Sequence, residues 1–441
     1  MKITPEVFCN SPWYELHIFW NGDLAFCCHQ LTPPYDIEQK PNPYNIKTMS
    51  IKEWYNSEPM QQARMRMFED KQWSKCGECW LEEKLGGASS RRHRSNQKSV
   101  IFRQNIQQSL EQSPSYPLIE SSYNNNGLTT SPPVDLHIDL GNHCNLACKM
   151  CWPGASTTIA TKMKKLDIMP VDQYLKYDWT KDQDVWDRFL NELVEIPNVK
   201  HIHIMGGEPT IHPRFKQLLD YLIANHNVQD YGFSFVTNGT KFDQSIIDRL
   251  KKFARASVEI SVETAEDSNH YIRQGSVTNE VIKNIKKYNT NRADNFFVTL
   301  RPCVSALSLR DYWTLLKLAL DEELMVKSRT VNEPPHLRPH VIPKAIRETY
   351  RQPYLNLLEE YDLDLNYDHL DINESHYENQ RNIVVDMIKQ ALTYIDMPDH
   401  IDQKLQLTEM VKQMKIWDKE YDLDARTLYP ELAEILDHNG Y

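Results

Sequence analysis

No uninterrupted apolar stretch in the 441 residues is long enough to cross a bilayer, which takes about twenty such residues in a helix. The opening, MKITPEVFCN, lacks the charged-then-apolar pattern of a secretion signal. A basic excess is missing too. The formal net charge is −11, whereas phosphate contacts need a basic face, so nucleic acid is not an expected partner. No internal repeat is evident. Together these absences leave the reducing cytoplasm as the expected compartment, where cysteines serve as metal ligands or catalytic groups before disulfides. Hydrophobic residues make up 40% and charged ones 25%, as in a globular chain. The length exceeds one ordinary core and predicts two or three domains.

Eight of the nine cysteines fall into three clusters: Cys9, Cys27 and Cys28; Cys76 and Cys79; and Cys144, Cys148 and Cys151. Cys303, alone in the apolar run FFVTLRPCVS, reads as a small core residue. Residues 1–95 form a cysteine-rich α+β module by pattern. WYELHIFWNGDLAFCCH holds two β-rich runs joined by Asn21-Gly22, which favours a tight primed turn. SIKEWYNSEPMQQARMRMF reads as one amphipathic helix opened by Ser50, with Trp54 and Met60 on its apolar side. Residues 96–132 are rich in Gln, Ser, Asn and Pro and read as a linker or an ordered crossing loop.

From residue 133 strands alternate with helices. The predicted strands are 134–140, 199–205, 231–237, 257–263, 296–302 and 336–342, with helical patterns between them. Six strands with crossover helices predict an α/β fold with a parallel sheet, open or closed into a partial barrel. Reactive groups then gather at the C-terminal strand ends. Residues 346–441 read as a charged helical extension without a chemical motif.

The stretch LHIDLGNHCNLACKMCWPGAST places Cys144, Cys148 and Cys151 in the loop after the first strand of this region. Structural zinc wants four ligands and a closed tetrahedron. An electron-transfer [4Fe–4S] cube also wants four thiolates. Three thiolates leave one iron open, which makes a binding site for a substrate or cofactor. The alternatives are a zinc site completed by His143 or His137, or packed free thiols.

Residues Cys144-Asn-Leu-Ala-Cys148-Lys-Met-Cys151 resemble the signature of radical S-adenosylmethionine (SAM) enzymes, with Met150 where an aromatic residue is usual. The resemblance implies a partial (β/α)6 TIM-like barrel over 133–345. It also implies a [4Fe–4S] cluster on the three cysteines, with SAM chelating the fourth iron, and reductive cleavage of SAM to a 5′-deoxyadenosyl radical. Gly206-Gly207-Glu208-Pro209 is similar to the family's motif for the SAM amino group, where glycines admit close backbone approach and Glu208 adds an acceptor. Thr237-Asn238-Gly239 ends the next strand on the same face. In ISVETAEDSNHYIRQGS the resemblance sets Ser261 and Glu263 toward the ribose or substrate and Arg273 toward the SAM carboxylate; the usual acid at 263 is Asp. The family's fifth-strand glycine motif is not recognisable.

The N-terminal module resembles the auxiliary-cluster domains called SPASM and twitch. Cys9, Gly22 and Cys27 match their opening, and Cys76-x-x-Cys79 their next pair. No cysteine occurs between Cys79 and Cys144, so the single-cluster twitch version fits, with Cys9, Cys27, Cys76 and Cys79 as ligands of a second [4Fe–4S] cluster and Cys28 as spare or substitute. A zinc ribbon would use the same four thiols. Twitch domains usually follow the radical domain; here the module precedes it, an order that resembles a group of radical SAM proteins frequent in phage and bacterial genomes.

The implied activity is radical oxidation or cross-linking of a peptide or protein. The auxiliary cluster would accept an electron, and flavodoxin or ferredoxin would act as donor. One alternative substrate is a small carbohydrate or nucleotide, with Arg91, Arg92 and Arg94 as phosphate anchors. The other alternative is a non-catalytic zinc-stabilised binding protein.

Overall fold

The computed structural model describes the chain except residues 29–42, 70–71, 74–75, 85–88, 90, 93–105, 114 and 366–375. Arg94 and the start of the predicted linker thus lie outside the described residues. The chain divides into two compact units. The first comprises Met1–His143, Met163–Ser234 and Asp248–Arg255; the second comprises Cys144–Lys162, Phe235–Ile247 and Ala256–Tyr441.

In the first unit, β1 (Glu15–Ile18) pairs antiparallel with β2 (Leu24–Ala25) and parallel with β3 (Asp135–Asp139), which in turn pairs parallel with β4 (His201–Met205). The N-terminal hairpin therefore extends a sheet whose other strands come more than a hundred residues later. The hairpin turn differs from the predicted two-residue primed type. Gly22 N–H bonds to Phe19 O at 2.7 Å and Phe19 N–H to Asp23 O at 2.9 Å. Only Gly22, at φ +93°, is left-handed there. A three-residue loop ending in a glycine bulge matches strand twist equally well.

The expected single helix after Ser50 is two, Ile51–Tyr55 and Glu58–Arg66. Ser50 and Glu53 close a capping box on the first, and Pro59, which cannot donate to a continuing helix, sits in the first turn of the second. The stretch read as linker supplies core: Ile106, Leu110 and Ile119 pack with Phe8, Cys9 and Trp13.

Helix Gln183–Glu195 begins where the Asp182 carboxylate accepts from the N–H groups of Asp184 and Val185. It buries Val185, Trp186, Phe189, Leu190 and Leu193, one stripe at helical spacing. Helix Pro213–Asn225 is capped by the His212 ring and buries Phe215, Leu218, Leu219 and Leu222.

Strand β5 (Gly232–Thr237) passes from the first unit into the second. In the second unit β6 (Arg255–Ile260) runs parallel to β7 (Phe296–Leu300), and β7 parallel to β8 (Met325–Val326). The sixth barrel strand is thus not 336–342. That segment forms two 3-10 turns, Pro335–Leu337 and Pro339–Val341, since each proline removes a ladder N–H. Two-residue β8 is too short to leave a readable alternation. The extension is helical as expected, with helices Arg351–Glu360, His376–Asp396 and Gln403–Tyr421. Its last part, with Met410, Val411, Met414 and Tyr429, closes a hydrophobic cluster around Tyr271 and Leu307.

Candidate functional site

The loop after β3 is held on both sides within the second unit. Thr157 Oγ1 accepts from Cys144 N–H at 3.4 Å, and Thr158 donates to Cys144 O at 2.6 Å. Ser156 donates to Leu146 O at 2.6 Å. Asn238, at the end of β5, donates to Asn145 Oδ1 at 2.9 Å and lies 4.0 Å from Cys144 Sγ. Residues Ala147–Cys148 pair antiparallel with Arg273–Gln274. The second and third cysteines are linked through the Cys151 N–H bond to Cys148 O at 3.0 Å. The hydroxyls at 156–158 and Asn145 were not singled out from sequence, because Ser, Thr and Asn beside a turn are too common to stand out.

Arg273 meets Glu263 bidentately: Nη2 donates to Oε1 at 2.7 Å and Nε donates to Oε2. The same guanidinium reaches Cys148 Sγ at 3.6 Å, and Glu263 Oε1 also accepts from Cys303 N–H at 3.3 Å. The side chains are 10% and 0% exposed, so this is a buried ion pair joining a strand end to the cysteine loop. Ser261 follows β6, its N–H bonded to Thr237 O at 2.8 Å. Six expected site residues are therefore gathered in this unit around one loop: Cys144, Cys148, Cys151, Asn238, Glu263 and Arg273.

Burial pushes the Cys148 thiol up to about 11 against the pull of Arg273. Burial likewise pushes Cys151 up to about 12, helped by Cys148 and Cys144. Three mutually repelling thiols sharing one loop suit a cation that pulls the protons off. They stand short of a closed cage: among the described residues no such group is preassembled at metal-binding distance. The donor set fits a thiolate-bound cluster. Met150, in the position usually aromatic, packs against the C-terminal hydrophobic cluster.

Gly206 to Pro209 lie in the first unit. Gly206 has φ +105°, and a Cβ there would stand 2.6 Å from Gly141 O. A Cβ on Gly207 would overlap His143 O. Gly207 and Glu208 N–H groups bond to Gly141 O at 3.2 Å and His143 O at 2.8 Å, so two backbones touch where only glycine fits. The Glu208 carboxylate, 1% exposed, accepts from Thr210 N–H at 3.0 Å and Thr210 Oγ1 at 2.6 Å and caps the turn Pro209–Ile211.

Among the N-terminal cysteines, burial pushes Cys76 up to about 12, with Cys9 and Cys79 adding to the rise, which sets these three side by side. None of the nine cysteines is in a disulfide. Arg91 is not a phosphate anchor in waiting. It is 3% exposed, paired with Glu83 at 2.5 Å, bonded to Pro5 O at 2.5 Å and Phe8 O at 2.9 Å, and stacked 4.3 Å from the Trp80 ring centre. Arg92 lies 3.2 Å from the same Glu83.

The structure also shows a polar sheet face that sequence reading passed over. Leu16, Ile18, Leu136, Ile138, Ile202 and Ile204 alternate onto one face and are at most 1% exposed. The other face carries His17, His137 and His203 in cross-strand register. His201 bridges Asp135 (3.2 Å) and Ser234 (2.8 Å), and Ser234 also meets His203 at 2.6 Å. Burial would lift the Asp135 carboxyl, but His137 and His201 outweigh it and hold it far below the usual range. The signal was present in ELHIF, DLHID and HIHIM, three strands with a histidine between two aliphatic residues.

Comparison with known proteins covers both cysteine regions. The radical SAM superfamily pattern matches residues 138–319, and that of the SPASM iron–sulfur cluster-binding domain matches residues 9–80. A tungsten-containing aldehyde ferredoxin oxidoreductase cofactor-modifying protein of Pyrococcus furiosus is 25% identical over 160 residues, 35% of this chain and 38% of its own length. Mycofactocin maturase MftC of Mycobacterium ulcerans is 29% identical over 133 residues, 30% of each chain. The chain thus spans well under half the length of these relatives. Streptococcus suis SuiB, solved bound to precursor peptide SuiA, aligns over 73% of this chain and 71% of its own at 14% identity and a TM-score of 0.38.

Proposed function

From a chain that carries a radical SAM domain, which binds a [4Fe–4S] cluster and SAM, and a SPASM domain, which binds auxiliary iron–sulfur clusters, we propose an enzyme that oxidises or cross-links a peptide or protein substrate. The observation that carries the reading is the loop of three half-buried thiols braced by Arg273 and Asn238. Cys144, Cys148 and Cys151 hold the catalytic cluster, and Cys9, Cys76, Cys79 and Cys27 hold the second. When bound, the first cluster and SAM together supply a radical that takes hydrogen from a substrate C–H bond.

The chain's own residues orient and exclude. Asn238 and Arg273 fix the cysteine loop from two sides. Gly206 and Gly207 bare backbone for the SAM ammonium, with Glu208 and Pro209 shaping that turn; Arg273, expected to meet the SAM carboxylate, is instead engaged by Glu263, and the pair braces the cysteine loop. The auxiliary cluster takes the electron left on the substrate, and flavodoxin or ferredoxin supplies the first one. The peptide preference rests on the likeness of the N-terminal module to the SPASM auxiliary-cluster domain. A small phosphorylated substrate is less well served, because Arg91 and Arg92 are already engaged by Glu83. Nine cysteines outside any disulfide suit the cytoplasm, and no helix among the described residues is long and apolar enough to cross a membrane.

The test is anaerobic purification with cluster reconstitution. About eight irons for two cubes and release of 5′-deoxyadenosine from SAM under dithionite are expected. Cys144→Ala abolishes that release, whereas Cys76→Ala spares it and stops modification of peptides encoded by neighbouring genes, followed by mass spectrometry. Zinc-loaded, SAM-inert protein would overturn the reading.

A further inference from the structure

Between the second and third cysteines stand Lys149 and Met150, and both turn toward the C-terminal extension. Lys149 is 6% exposed, and its ammonium has no hydrogen-bond partner among the described residues. It lies 4.5 Å from the ring centre of Tyr421, 4.7 Å from that of Trp417 and 5.2 Å from that of Tyr271. Three ring faces around one desolvated side chain make a cage that attracts its charged form through the ring quadrupoles, joined by the Asp418 carboxylate of the same helix. The Lys149 backbone is fixed in the same direction, its N–H bonded to Ile272 O at 2.9 Å. Met150 packs on the hydrophobic cluster that Met410, Val411 and Met414 fill from the same helix.

That helix, Gln403–Tyr421, is itself keyed in place. Asp418 is 4% exposed and accepts from Tyr271 Oη at 2.7 Å and Ala425 N–H at 2.5 Å, and also from the hydroxyl of Tyr441. One side chain thus ties the helix, the chain end and the segment that pairs with the cysteine loop. Lys162 stands 3.4 Å from the ring centre of the same Tyr421.

We propose that Trp417 and Tyr421 of the C-terminal helix are positioning residues for the cluster-binding loop, acting through Lys149 caged between Cys148 and Cys151. This rests on the reading of those cysteines as cluster ligands. The helical extension thereby acquires a role, since the loop is set before iron arrives and loading does not have to order it.

Two measurements test it. In metal-free protein, hydrogen–deuterium exchange of the peptide spanning residues 144–151 is compared with that of helix Pro213–Asn225 in the same molecule. Trp417→Ala and Lys149→Ala each speed loop exchange about tenfold or more relative to the reference helix, and Trp417→Phe, which keeps an aromatic face, restores protection. Leu405→Ser, at a 69% exposed position on the same helix, changes neither. In reconstituted protein, the change that SAM makes in the electron paramagnetic resonance spectrum of the reduced cluster weakens in Trp417→Ala and returns in Trp417→Phe. An unchanged exchange ratio in both alanine variants overturns the proposal. So does a uniform rise across loop and reference helix, which assigns the cage to general folding. If the wild type yields no iron–sulfur signal, the cluster reading fails by itself, while the exchange ratio still reports on the cage.

Discussion

Glu263 and Arg273 offer the sharpest energetic test of the site. Their side chains are 0% and 10% exposed, and two parallel hydrogen bonds join them. Glu263→Gln keeps the volume and an oxygen for Cys303 N–H, so what is lost is the charge facing a buried guanidinium. Breaking a buried pair from one side costs about 3–5 kcal/mol. For a cooperative unit of roughly 150–250 residues each kcal/mol moves Tm by about 2–4 °C. The expected fall is therefore on the order of 10 °C, read by differential scanning calorimetry of the metal-free protein. Arg273→Met should fall by a similar amount. The double variant Glu263→Leu/Arg273→Met should recover most of the loss, because paired apolar groups of similar size cost no charge burial. A Glu263→Gln melt within about 2 °C of wild type would refute the assignment of this pair as a buried strut.

Gly206→Ala sets a Cβ 2.6 Å from Gly141 O at φ +105° and should cost about 1–3 kcal/mol, seen as a lower urea midpoint with SAM binding lost in calorimetric titration. Burial pushes His212 down to about 4, below the unfolded value of about 6.5, so the unfolded chain binds the extra proton. Stability should fall as pH drops from about 6.5 to 4, by on the order of 3 kcal/mol. His212→Asn, which keeps the cap, should flatten that slope in urea titrations; an equal slope would contradict the burial argument. Arg91→Ala should lower Tm and leave anion binding unchanged, since Glu83 already occupies the guanidinium. Iron incorporation should release protons and rise with pH from about 7 to 9, because burial holds Cys148 at about 11 and Cys151 at about 12.

Much of the site was legible because its chemistry is local. Three cysteines within eight residues have to share one loop whatever surrounds them, and Gly206-Gly207 marks a backbone contact that no other residue type permits. The predicted strands at 134–140, 199–205, 231–237 and 296–302 overlap β3, β4, β5 and β7, since each alternates or bounds cleanly. The failures also have local causes. Pro339 made 336–342 a pair of turns, and β8 is two residues long. Segment 96–132 looked like a linker because its polar composition hides Ile106, Leu110 and Ile119, which are buried one by one.

What the sequence by itself determined is therefore the clustering of the cysteines, the order of most strands and helices, and the places where backbones have to touch, for these follow from residue type and short spacing. Partnership across long separations was decided only by the tertiary structure. Arg273 closes on Glu263, Arg91 is consumed by Glu83, β1 joins β3 a hundred residues on, and Lys149 finds its three rings in two distant segments. Such pairings are set by which side chains packing leaves buried together. A buried charge takes whatever partner the fold brings within reach, and no spacing along the chain encodes that.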